Sequence, residues 1–162
     1  MYQSLIEPVH VDPEFARSKW GEGQCVSMNT HAEINLSGRI YTFGLCGCHC
    51  ALARRGDTVQ LSHYSPLADF LHAAALRAFR PDSVVLWTPG EWLKTPEGGW
   101  IMAPASPPPL LKGLCQEIHG YDTMTEIGCD RMVDYNAGLV TAFRTPVTVF
   151  GGEQNPSGTA LA

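Results

Sequence analysis

Residues 39–64 read RIYTFGLCGCHCALARRGDTVQLSHY, and the reading of this stretch decides the fold. Arg39–Leu45 is β-branched and aromatic, as a strand requires. Cys48–Ala53 and Thr58–Tyr64 are two further strand-like runs separated by Arg54-Arg55-Gly56-Asp57, which predicts a hairpin. Upstream, Gln24–Asn29 and Glu33–Leu36 alternate in polarity and Ser37-Gly38 marks a turn, whereas residues 1–23 are polar and irregular, broken by Pro8, Pro13, Gly21 and Gly23.

Downstream the period changes. Ser65 suits a helix N-cap and Pro66 the first helical position. Leu67, Phe70, Leu71, Ala74 and Phe79 then recur on one apolar face, and Pro81 ends the helix. Ser83–Trp87 predicts a short buried strand, Thr88-Pro89-Gly90 a turn, and residues 89–109 a Pro/Gly-rich loop. A second helix is expected over Leu110–His119, stopping at Gly120. Thr123–Ile127, Arg131–Tyr135 and Leu139–Arg144 read as strands, the last two joined through Asn136-Ala137-Gly138. Residues 151–162 form a polar tail expected to lack regular structure. The order predicts one α+β domain over residues 1–162, with helices against a mostly antiparallel sheet.

Composition narrows the function. At 162 residues a compact fold buries roughly 70% of its unfolded surface, so a full core is available. Eleven Lys and Arg stand against 16 Asp and Glu, a net charge of −5, which argues against nucleic acid as the main partner. No apolar run approaches the roughly 18 residues of a membrane span. The opening MYQSLIEPVHVDPEF has no basic region followed by an apolar one, so no Sec-type signal is expected. Six cysteines, at 25, 46, 48, 50, 115 and 129, are expected as free thiols, because three of them crowd into 46–50.

Cysteine becomes a nucleophile when a base stands beside it. Cys48 opens one strand of the hairpin and His63 ends its partner, and antiparallel pairing sets such ends side by side. Gly44 and Gly47 allow sharp turns, and the backbone around Cys46, Gly47 and Cys48 is a candidate oxyanion cradle. Thr42 lies an even number of residues before Cys48, so a regular strand puts its hydroxyl on the same face, in position to orient His63. The plainer reading is that a strand cysteine is a small core residue and a single histidine a satisfied polar one.

The stretch Thr42-Phe-Gly-Leu-Cys-Gly-Cys48, with the hairpin to Leu61-Ser62-His63, resembles the chemoreceptor glutamine deamidase family CheD. That family carries Thr-Leu-Gly-Leu-Gly-Ser-Cys, then two strands and a histidine before its first helix. Thr42, Gly44, Leu45 and Cys48 match it, with His63 in the histidine's place. Cys46-Gly47-Cys48 is similar to the Ser-Gly-Cys of the cytotoxic necrotizing factors, and Asp130–Val140 to the closing hairpin of CheD. The resemblance covers roughly residues 24–145. It departs at Thr88-Pro89-Gly90-Glu91-Trp92, where CheD has Gly-Gly-Ala-Asn-Met, and at Cys46, which replaces a glycine.

The resemblance implies a β-sandwich flanked by helices. It implies a cysteine-dependent deamidase that converts a Gln or Asn side chain of a target protein to the acid through a thioester. Cys48 would be the nucleophile, His63 the base, Thr42 the third member, and Gly47 and Cys46 the oxyanion side. An alternative register makes Cys46 the nucleophile, 17 residues before His63. His63 is expected either to take the Cys48 proton or to stabilise the thiolate as an ion pair. The reaction calls for no cofactor and no metal. Its partner is a protein substrate, with a cognate regulatory or immunity protein besides. The setting is either housekeeping deamidation in a bacterial cytoplasm or an effector toxin, delivered by a dedicated secretion system, that acts on a host regulator such as a small GTPase.

Two rivals come from other classes. Cys46, Cys48, His49 and Cys50, joined by Cys25, Cys115, Cys129 or His63, supply enough soft ligands for zinc, although the Cys-x-Cys-His-Cys spacing is tight. Tyr64, Trp87, Trp92 and Trp100 can instead serve a non-catalytic interaction module. His10, His31, His72 and His119 read as surface or polar-core residues, and no partner for His72 is evident.

Overall fold

Period-2 alternation builds two sheets that share one core. The computed structural model describes residues 23–123 and 132–142, together with the backbone of five two-residue or shorter-range strands outside or beside them: 9–10, 129–130, 145–146, 154–155 and 158–159. In chain order the strands are β1 (Val9–His10), β2 (Gln24–Cys25), β3 (Thr30–Asn35), β4 (Arg39–Phe43), β5 (His49–Arg55) and β6 (Thr58–Tyr64). A 3-10 turn (Pro66–Ala68) leads into helix α1 (Asp69–Phe79), then β7 (Ser83–Lys94), β8 (Trp100–Pro104), the single-turn helix α2 (Pro109–Lys112) and β9 (Glu117–Tyr121). The chain ends with β10 (Cys129–Asp130), β11 (Met132–Asn136), β12 (Leu139–Ala142), β13 (Thr145–Pro146), β14 (Gln154–Asn155) and β15 (Gly158–Thr159).

One sheet has the order β3-β6-β5-β7-β8, with β9 also paired to β7; the other runs β13-β12-β11-β4-β2. Pairing is antiparallel except for β2–β4 and β7–β9. In the β5–β6 hairpin, Cys50 faces His63, Leu52 faces Leu61 and Arg55 faces Thr58, so the strands run to Arg55 and only Gly56-Asp57 turn. Cys50, Leu52, Val59, Leu61 and Trp87 from the first sheet pack with Ile40, Val133, Tyr135 and Val140 from the second. The opposite face of the first sheet presents Ala51, Ala53, Val84 and Leu86 to Ala73, Leu76 and Phe79 of α1. The fold is α+β, rich in antiparallel sheet, and compatible with a sandwich.

Three expectations need correction. Of the face read from apolar spacing the helix buries only Phe79: Leu67 is 99% exposed, Phe70 79% and Leu71 62%, and Ala74 is exposed, while His72, Ala73 and Leu76 join Phe79 inside. The alanine-lined sheet beneath admits a close-packed helix, and Ser62 supplies a hydroxyl for His72, so the tertiary partner outweighs the local pattern. Residues 89–109 are not simply a loop. β7 continues through Thr88-Pro89-Gly90 and pairs with β8, Trp92 opposite Met102 and Lys94 opposite Trp100. Pro89 lacks an N–H, which the strand tolerates because pairing with β5 has ended at Trp87.

The second helix is also much shorter than expected. It stops at Lys112, and Glu117–Tyr121 is a strand parallel to β7, with Ile118 packed towards the helices and Tyr121 towards the inter-sheet core. Gly90 and Gly120 make this junction possible. A Cβ at Gly120 would lie 2.5 Å from the Ala103 carbonyl carbon, and one at Gly90 2.9 Å from the Gly120 Cα. In the N-terminal segment β1 pairs with β10, and in the tail β14 pairs with β15. The strand expected at Thr123–Ile127 lies outside the described residues beyond Thr123.

Gly120→Ala should therefore lower stability by about 1–3 kcal/mol, the usual range for overpacking against backbone. Gly113→Ala, with nothing within 4 Å of its added Cβ, should be close to neutral. Urea-unfolding midpoints of the two variants test the junction, and equal midpoints would refute it.

Candidate functional site

Residues 44–48 carry the chain from β4 in one sheet to β5 in the other. Gly44 (φ 79°) and Gly47 (φ 123°) occupy backbone conformations that a side chain strains. Between and beside them Leu45 is buried, Cys46 exposed, Gly47 half-buried, and Cys48 only 9% exposed. Cys48 packs in the inter-sheet core with Leu45, Cys50, Trp87 and Tyr121.

Thr42 and His63 come together across the two sheets. Thr42 Oγ1 lies 2.7 Å from His63 Nδ1 and 2.6 Å from the Val26 carbonyl oxygen, and all are buried. A carbonyl oxygen only accepts, so the single hydroxyl proton of Thr42 goes to Val26. The hydroxyl oxygen must then accept from Nδ1–H of His63. This assigns the tautomer: the lone pair of neutral His63 is on Nε2. That atom is buried and finds no hydrogen-bond partner among the described residues. Burial pulls the imidazole pKa down to about 4, so His63 is neutral at pH 7.

Cys48 is not the residue opposite His63. The register gives that place to Cys50, which is fully buried between β6 and β7 with its thiol pKa pushed far up by burial. Cys48 lies one residue outside β5, so continued pairing would make it a diagonal neighbour of His63 on the same face, where separations are about 7–8 Å between Cα atoms. No hydrogen bond joins its thiol to Nε2. Its pKa is raised by burial first and by Cys46 second. Of the two expected arrangements the standing ion pair is disfavoured; both groups are neutral, because desolvation disfavours each charge, which leaves His63 the role of a base.

The oxyanion expectation changes too. The Gly47 N–H is already donated to the Tyr121 hydroxyl oxygen at 2.8 Å, and that hydroxyl donates to the Cys48 carbonyl at 2.6 Å. Gly47 is therefore not an open donor, while Cys46 remains exposed beside it. Tyr121 is fully buried and was not singled out from the sequence, because 110–119 read as a helix and hid the alternation His119-Gly120-Tyr121. The same row across the first sheet places His63, Cys50, Trp87 and His119 side by side on β6, β5, β7 and β9. The Trp87 and His119 rings stack at 5.6 Å, and Trp87 Nε1 has no hydrogen-bond partner among the described residues.

On the helix side His72 does have partners. Its Nε2 is 2.8 Å from Ser62 Oγ and its ring stacks on Tyr64 at 4.8 Å, while Tyr64 Oη meets His31 Nδ1 at 2.8 Å. His49, the residue after Cys48, lies 3.7 Å from Asp69 at the start of α1. Cys25, Cys46, Cys48, Cys50 and Cys115 are free thiols, and no three His, Cys, Asp or Glu side chains among the described residues gather as a metal site. Of the aromatic residues, Tyr64 and Trp87 are buried, whereas Trp92 and Trp100 are exposed on the β7–β8 hairpin. No helix among the described residues is long and apolar enough to cross a membrane.

The histidine shift sets a pH dependence. His63 titrates at about 4 when folded and at its ordinary 6.5 when unfolded, so between those values the unfolded chain binds the extra proton. The stability present above pH 6.5 is lost as pH falls, by roughly 3 kcal/mol on reaching pH 4. Urea unfolding between pH 7 and 4 should show a flatter dependence in His63→Gln than in the native chain; parallel curves would count against the buried neutral imidazole.

Compared with models of known protein families, with curated proteins and with solved structures, the chain matches none.

Proposed function

We propose that the chain is a cysteine-dependent protein deamidase with Cys48 as nucleophile, His63 as general base and Thr42 as the residue that orients the base. The observation carrying this reading is the Thr42 hydroxyl, whose bonds to Val26 and His63 leave the Nε2 lone pair bare on the face shared with Cys48. Bare ring nitrogens also occur at His49, His72 and His119, so what distinguishes His63 is that Thr42 fixes its tautomer and leaves the free nitrogen as the lone-pair acceptor beside the crossover. Cys50 is fully buried and Cys46 exposed, whereas Cys48 lies in the core with 9% of its surface still exposed at the crossover, which makes it the candidate nucleophile. The resemblance of 42–48 and His63 to CheD and the necrotizing factors supports the same assignment and a sandwich of their kind.

In the reaction, Nε2 takes the thiol proton as Sγ attacks the carboxamide carbon of a Gln or Asn side chain. The tetrahedral intermediate collapses to a thioester as the amide nitrogen leaves with that proton as ammonia. Water, activated by the freed Nε2, then hydrolyses the thioester to the acid and restores the thiol. No cofactor enters this balance. The oxyanion needs a donor other than the Gly47 amide.

A protein substrate is favoured by the exposed Leu67, Phe70 and Leu71, on the turn and helix that follow the strand ending in His63-Tyr64. The departure from CheD at 88–92 lies in the projecting β7–β8 hairpin, where Trp92 and Trp100 are exposed. This favours a target other than a chemoreceptor, such as a host regulatory protein reached by an effector.

Deamidated glutamines in proteins incubated with the purified chain, read by peptide mass mapping, test the proposal. Cys48→Ser should abolish the product, His63→Ala should slow it by about two to four orders of magnitude, and Thr42→Val should slow it less. Product from Cys48→Ser, lost instead in Cys46→Ser, would transfer the nucleophile to Cys46. Product surviving both changes would overturn the reading.

A further inference from the structure

Strand β9 reaches across the sheet to the crossover through one side chain. Tyr121 is fully buried, and its hydroxyl joins the Gly47 N–H and the Cys48 carbonyl, the two peptide groups that bracket residues 47 and 48. The phenol has its pKa raised by burial, and ionised thiols at Cys48, Cys50 and Cys46 would raise it further, so it keeps the proton it donates. Cys48 stands outside the β5 ladder, where regular pairing no longer fixes its backbone. Holding both peptide planes restrains the φ and ψ angles of Cys48, and with them the direction of its Cα–Cβ bond.

We infer that Tyr121 is the positioning residue for Cys48, fixing the thiol relative to His63 from a third strand. The inference rests on the deamidase reading of Cys48. It gives β9 a purpose in the site and explains why the Gly47 amide is engaged rather than open to an oxyanion.

Tyr121→Phe tests it, with Tyr135→Phe as control, because Tyr135 also donates a buried phenol hydrogen bond, to the Leu36 carbonyl, away from the crossover. Amide hydrogen exchange at residues 44–49 should accelerate about tenfold or more in Tyr121→Phe and stay unchanged in Tyr135→Phe. Iodoacetamide alkylation of Cys48 should slow on His63→Ala in the native background, and that dependence should vanish in the Tyr121→Phe background. Unchanged exchange at 44–49, or an undiminished response to His63→Ala when Tyr121 is Phe, overturns the inference while leaving the deamidase reading standing. A native Cys48 indifferent to His63→Ala, with no deamidated product, overturns the deamidase reading and, with it, the catalytic purpose of the anchor.

Discussion

The Thr42 hydroxyl has one proton, and where it goes determines the rest of the site. Because it is given to the Val26 carbonyl, His63 must donate through Nδ1 and present a bare Nε2. The bond also spans the architecture: Thr42 is on β4 of the five-stranded sheet and His63 on β6 of the six-stranded one. It exists only when the two sheets are packed on their common core. Fold and site geometry are in this sense one constraint, since anything that shifts the sheets apart also releases the imidazole.

Burial governs the energetics on both sides of that bond. The imidazole of His63 and the thiol of Cys48 are shifted in opposite directions by the same cause, loss of solvent. A neutral acid and a neutral base can share an apolar layer with Leu45, Leu61 and Trp87, whereas a standing ion pair there would need further hydrogen bonds to compensate its lost hydration.

Much of the architecture was legible because β4 is rich in β-branched and aromatic residues and the hairpin runs of β5 and β6 are set off by turn residues. The motif at 42–48 was placed by its resemblance and the histidine by its position ending the hairpin. The parity argument for Thr42 fails, because β4 ends at Phe43 and the chain crosses to the other sheet before Cys48; Thr42 meets His63 through the packing of the two sheets. What escaped the sequence was decided by tertiary partners. The exposed Leu67 and Phe70 form a good apolar face that the sheet does not use, because Ala51 and Ala53 accept Ala73 and Leu76 instead. Leu110, Leu111 and Leu114 give the stretch before β9 a helical spacing, and the need for a Cβ-free residue against the Ala103 backbone is what marks Gly120 as strand. Tyr121 was lost with it. The exact register, which puts Cys50 rather than Cys48 across from His63, depends on a two-residue turn that Arg54-Arg55-Gly56-Asp57 does not specify uniquely.

The neutral resting pair also constrains how the thiol becomes reactive. Even an unshifted thiol at 9.0 facing an imidazole at about 4 leaves a gap of about five pKa units, or roughly 7 kcal/mol against proton transfer. Coulomb attraction between the charges so formed, at a contact near 4 Å and an effective dielectric of 20, returns only about 4 kcal/mol. The proton therefore stays on sulfur until something else lowers the cost. Bond formation to an electrophilic carbon does so, because charge then moves to the substrate oxygen instead of resting on Sγ. Under the proposed deamidase reading, this arithmetic makes the site a general-base device in which proton transfer accompanies attack, and the thiol favours electrophiles that fit. A thiol that is selective in this way depends on orientation more than on ionisation, which is why the groups holding the crossover matter as much as the base itself.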